Sequence, residues 1–86
     1  MKTFIVHIIR EFDGSEELME AHGAHIMSLK KENRLVMFGP YDNVQGGAYI
    51  MKAESLEEAE AHANADPVIK QGIAQCRVFL WNAQEA

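Results

Sequence analysis

The stretch Lys2 to Arg10, KTFIVHIIR, decides the fold. It is rich in β-branched and aromatic residues, which fit the pleated surface of a strand, and successive strand side chains point to opposite faces. Phe4, Val6 and Ile8 then share one face, and Ile5, His7 and Ile9 the other. A sheet covered on one side only alternates apolar with polar residues. Here both faces are apolar, so both are expected to be covered. Val78 and Leu80 against Phe79 and Trp81 repeat the pattern near the end of the chain.

Working outward from this strand, Asp13, Gly14 and Ser15 supply a turn and an N-cap for a helix from about Ser15 to Asn33. Glu16 and Glu17 in its first turn and Lys30 and Lys31 in its last suit the helix dipole. Arg34 to Phe38 reads as a short strand stopped by Gly39-Pro40. A loop through Asp42, Asn43, Gly46 and Gly47 leads to a third strand, Ala48 to Ala53. Ser55-Leu56-Glu57-Glu58 is a capping box that opens an alanine-rich helix to about Ala65, and Ala74 to Trp81 is the last strand. The order βαββαβ predicts an α+β fold of ferredoxin-like plan, with a four-stranded antiparallel sheet and both helices on one face. We expect residues 1–86 to form a single domain. Because two helices cover only one face, we expect the other to pack on a second copy, giving a homodimer with a two-sheet, barrel-like core.

Length and charge narrow the function. A domain of 86 residues buries only about two-thirds of the surface its unfolded chain exposes, which favours self-association. A net charge of −5 argues against nucleic acid or an anionic membrane as the main partner. Cys76 is the single cysteine and has no internal disulfide partner, which fits a reducing, cytoplasmic setting. The apolar run Phe4 to Ile9 is too short for a signal-peptide core or a membrane span.

The chemistry centres on the first helix. Leu18, His22, His25 and Leu29 recur at i, i+4, i+7 and i+11, so two imidazoles stand on the helix face that packs into the fold. Histidine is the side chain whose ordinary titration lies closest to neutral pH. Beside a cleft it gives and takes protons.

His22, Arg34-Leu35, Gly39-Pro40, Ser55-Leu56-Glu57-Glu58-Ala59, Asp66-Pro67, Gly72 and the hydrophobic last strand, in that order, resemble the YCII-related (YciI-like) family. The resemblance covers nearly the whole chain, and its specificity lies in the ordered set, since Gly-Pro and Asp-Pro pairs are common individually. It implies a dimeric α+β barrel of ferredoxin-like subunits in which the helix histidine and the Asp-Pro aspartate form a catalytic pair. Those positions are His22 and Asp66. Two positions depart from the family pattern. Met19 stands where an arginine often precedes the histidine by one turn, which puts an inherited anion-binding role there in question. Asn33 replaces the glycine that usually ends the helix, a benign change because asparagine tolerates the left-handed conformation.

Each residue also has a plain structural reading. A buried histidine is often satisfied by a backbone carbonyl, and Asp followed by Pro is a standard N-cap and N1 pair, here opening a turn from Pro67 to Gln71. His22 and His25 form a His-x-x-His pair, but no third ligand follows at a diagnostic spacing, so no metal is expected. Arg10, Arg34 and Arg77 are candidates for a substrate carboxylate, with Arg77 preferred for its place on an apolar strand. Tyr41, placed after Gly39-Pro40, suits a cleft mouth. His7 suits the sheet surface or dimer seam, and both it and His25 join the candidate substrate contacts. His62 falls on the solvent side of its helix, and Cys76 reads as a small core residue. No nucleotide or phosphate fingerprint is present, so no cofactor is expected. The expected function is general acid/base catalysis on a small molecule by His22 and Asp66, of isomerase, lyase or lactone type. The alternatives are a non-catalytic module that binds a small ligand and a cofactor-independent oxygenase.

Overall fold

The computed structural model describes residues 1–86. Its elements in chain order are β1 (Lys2–Arg10), α1 (Glu16–Lys31), β2 (Leu35–Pro40), β3 (Gly46–Ala53), α2 (Leu56–Asn64), α3 (Pro67–Lys70) and β4 (Ala74–Leu80). The strands form one sheet in the order β2-β3-β1-β4 with every neighbouring pair antiparallel, which is the ferredoxin-like arrangement. β1 lies inside the sheet, with its backbone paired on both edges. It pairs Val6 with Tyr49 on β3 and with Val78 on β4.

The core lies between this sheet and the helices. Phe4, Val6 and Ile8 of β1, and Tyr49, Met51 and Ala53 of β3, pack against Ile26 and Leu29 of α1, Ala59 and Ala63 of α2, and Val68 of α3. Alternate strand residues supply it, as the pleat requires. Ser15 caps α1 by accepting the Leu18 amide at 3.0 Å, and Ser55 caps α2 by accepting the Glu58 amide at 3.1 Å. Asn33 takes the left-handed conformation after α1, with φ 59°.

Two boundaries differ from the sequence reading. Gly39-Pro40 does not stop β2 but ends it inside the ladder, opposite Ala48 and Gly47. β2 is an edge strand, where proline's missing N–H costs no sheet hydrogen bond. β3 begins at Gly46 rather than Ala48 because its pairing with β1 continues to Ile9. Only glycine fits there: φ is +137°, and a Cβ would lie 2.1 Å from the Ile8 carbonyl oxygen.

No helix covers the opposite sheet face. Ile9, Met37, Phe79 and Trp81 remain 46, 60, 47 and 44 % exposed, and Ile5, His7 and Ile50 complete the same surface. No helix is long and apolar enough to cross a membrane.

Candidate functional site

α1 presents His22 towards the turn that follows α2. There Asp66 caps the single-turn helix α3, with Pro67 at its first position. Its Oδ1 accepts the Val68 amide at 3.1 Å, while its Oδ2 lies 2.6 Å from His22 Nδ1. Asp66 is wholly buried and the His22 side chain is 25 % exposed, so the carboxylate sits behind the imidazole and the imidazole meets solvent. A carboxylate only accepts hydrogen bonds, so Nδ1 carries the proton of this contact and Nε2 is the nitrogen left without a protein partner. Capping and orientation use different oxygens of one side chain.

His22 stands in the wall of a cleft of about 750 Å³ between α1, the sheet and the β2–β3 loop. Its walls are largely apolar: Ile8, Met19, Ile26, Met27, Phe38 and Val44. Polar functions come from Arg10, His22, Tyr41, Gln45 and Tyr49, and no lining residue is acidic. A cavity of this size with few polar groups suits a small organic ligand.

Tyr49 is a residue that sequence reasoning passed over. It lines the cleft, and its hydroxyl is buried without a hydrogen-bond partner. Burial, and then the Asp66 charge, push its phenol well above the usual tyrosine range. It is a neutral donor throughout the physiological range. Strand parity was the available signal, since Tyr49 shares a face with Met51 and Ala53.

The other candidates scatter. His25 stays out of the cleft, because its Nε2–H donates to the His62 carbonyl at 2.8 Å and ties α1 to α2. His62 is half-buried rather than on an open helix face. Arg77, preferred for a carboxylate, is exposed and absent from the cleft: it pairs opposite His7, so the pleat turns it away from the helices. Arg34 is held by Glu58 and Glu32. Arg10, two residues beyond Ile8 on the same strand, is the arginine that enters the cleft. His7 lies on the uncovered sheet face, bonded to the Tyr41 hydroxyl and edge-on to Phe79 at 5.9 Å between ring centroids. Tyr41 lines the cleft as well.

Burial and the Asp66 charge raise the Cys76 thiol above its ordinary value, which keeps it protonated rather than nucleophilic. His22 and His25 turn to different partners, and no three His, Cys, Asp or Glu side chains gather where they could hold a metal ion.

The sequence profile of the YCII-related domain matches residues 1–82. This chain belongs to the YCII-related family. It is 33 % identical over 85 residues to the uncharacterized protein YjpA of Bacillus subtilis strain 168, covering 99 % of this chain and all of YjpA. Among solved structures, this YCII-related chain is similar to the 5-chloro-2-hydroxyhydroquinone dehydrochlorinase TftG of Burkholderia phenoliruptrix AC1100, in complex with 2,5-dihydroxybenzoquinone. The two share 25 % identity and a TM-score of 0.75 over 95 % of each chain. It also resembles muconolactone isomerase, with a TM-score of 0.78 over 95 % of this chain and 90 % of that one; at 10 % identity the likeness concerns the fold alone.

Proposed function

We propose that this YCII-related protein is a small-molecule enzyme in which His22 moves a proton on carbon and Asp66 holds it to the task. The observation that carries this reading is the wholly buried carboxylate bonded to Nδ1 of an imidazole whose other side faces an apolar cleft. With Nδ1 protonated, Nε2 takes a proton from a carbon acid and becomes imidazolium, which the Asp66 charge stabilises. Returning that proton to a different carbon completes an isomerisation or a lactone-type rearrangement. Losing an anionic leaving group from the resulting carbanion completes an elimination, the reaction class that the name of the dehydrochlorinase describes. Neither route needs a redox cofactor.

A homodimer belongs to the same proposal. The helix-free sheet face carries Ile9, Met37, Phe79 and Trp81, each about half exposed in one subunit, and a shared apolar face of this kind suits an interaction surface. A second copy stacked sheet to sheet covers it.

The test is proton exchange in D2O followed by NMR, over a set of hydroxyquinones and unsaturated lactones, with wild type, His22→Gln and Asp66→Asn compared. Wild type is expected to catalyse exchange or conversion of at least one compound, and both variants to lose it. Saturable binding without exchange that differs from His22→Gln on any compound would replace catalysis by a ligand-binding role.

A further inference from the structure

Arg10 is the last residue of β1, and its position is fixed at both ends. Its amide donates to the Gln45 carbonyl at 3.1 Å, and its Nη1 reaches the Met19 sulfur at 3.5 Å. A thioether is a weak acceptor, so no protein group makes a strong hydrogen bond to this half-buried guanidinium. Its Nε–H is buried with no partner at all. The chain carries 13 acidic residues, yet none of its ion pairs includes Arg10. Arg10 as a whole is half-buried, so its cost is that of the one buried N–H left unmade. Chains satisfy such groups unless something else is to satisfy them.

The guanidinium also has a defined relation to His22. Both line the cleft, and Met19, which Arg10 touches, lies three residues before His22 on α1, roughly 4.5 Å along the helix axis. The wall around them is largely apolar, and no acidic side chain lines the cleft to compete for the cation.

We propose that Arg10 is the anchor of an anion subsite, and that the ligand of this cleft is a small aromatic or unsaturated carboxylate. The carboxylate accepts from the Nη–H groups, and from Nε–H as well once the side chain swings off the Met19 sulfur, the bidentate geometry that guanidinium offers and ammonium does not. The apolar remainder of the ligand lies along Ile8, Ile26 and Phe38, which brings a carbon a few bonds from the carboxylate to Nε2 of His22. This assignment rests on the cleft being the reactive site proposed above, and it adds the chemical class of the ligand.

Benzoate and phenylacetate, with benzamide and phenylacetamide as neutral matches, are the probes. In wild type the acids are expected to bind saturably and to move the NMR signal of the Arg10 Nε–Hε group, whereas the amides leave that signal in place. Arg10→Gln is expected to weaken the acids by about tenfold or more and the amides hardly at all, with Arg10→Lys recovering part of the loss. Equal binding of acids and amides, acid binding indifferent to Arg10→Gln, or no saturable acid binding at millimolar concentration each overturns the assignment. The Nε–Hε signal is read in the unaltered protein, so the result stands even where Arg10→Gln folds poorly. Proton exchange and acid binding, read separately, distinguish the two proposals. Arg10-dependent acid binding without wild-type proton exchange sinks only the catalytic reading, and exchange without Arg10-dependent binding sinks only the anion subsite.

Discussion

Replacing Asp66 tests fold and site together, because its two oxygens serve separate ends. Asp66→Ala removes an N-cap, a loss of about 0.5–2 kcal/mol. It also removes a charge-assisted hydrogen bond to His22, about 1.5–3 kcal/mol. Together these come to about 2–5 kcal/mol, a large share of the roughly 5–15 kcal/mol that holds an ordinary domain folded. Asp66→Asn should behave differently. Asparagine caps as well as aspartate, and its amide can donate to Nδ1 once the ring proton has moved to Nε2, so the expected cost falls to about 1 kcal/mol. The price of that rescue is the wrong tautomer at the cleft. Urea denaturation at one fixed protein concentration measures the two costs, and ring 15N shifts of His22 report which nitrogen carries the proton. Equal midpoints for Asp66→Ala and wild type, or an Nε2-protonated ring already in wild type, would refute the reasoning.

Three further outcomes are expected. Sedimentation should find a dimer at micromolar concentration with an interface in the range of about 1,200–2,000 Å², and Ile5→Lys on the uncovered face should dissociate it; a wild-type monomer would refute this. Tyr49→Phe deletes a buried hydroxyl that has no partner, so chemical denaturation near neutral pH should show stability unchanged or raised; a clear loss would point to a hydrogen bond the geometry does not contain. Because the folded-state pKa of Tyr49 is raised, its contribution to stability is intact below the unfolded value of about 10 and is lost as pH climbs towards the folded one. Alkaline unfolding should therefore begin above about pH 10 in wild type and at higher pH in Tyr49→Phe.

The elements are legible in the sequence because their signals are local. β-branched alternation marks β1, serines with following glutamates mark both helix starts, and Asn33 marks the end of α1. The end of β2 is less so, since Gly39-Pro40 reads as a stop anywhere except on an edge, and edge position is a property of the assembled sheet. The site divides in the same way. His22 and Asp66 stand out as residues, but their meeting depends on how the chain after α2 folds back across α1. Among the arginines, local apolarity favours Arg77, whereas the face shared with Phe4, Val6 and Ile8 leads to Arg10. Parity along a strand is a better guide to a cleft than the hydrophobicity of neighbours. Applied to β3, the same rule brings in Tyr49.

Tyr41 belongs to two surfaces at once: it lines the cleft, while its ring stacks on His7 and its hydroxyl is bonded to it on the uncovered sheet face. In the proposed dimer, a second copy that covers His7 restricts the rotamers open to Tyr41, and a ligand that displaces Tyr41 alters the footing of the second copy. Linkage makes such an effect reciprocal, so the factor by which assembly changes ligand affinity is the factor by which ligand changes the association constant. Protein concentration then acts as an allosteric effector of the cleft, and dilution alone would retune its occupancy.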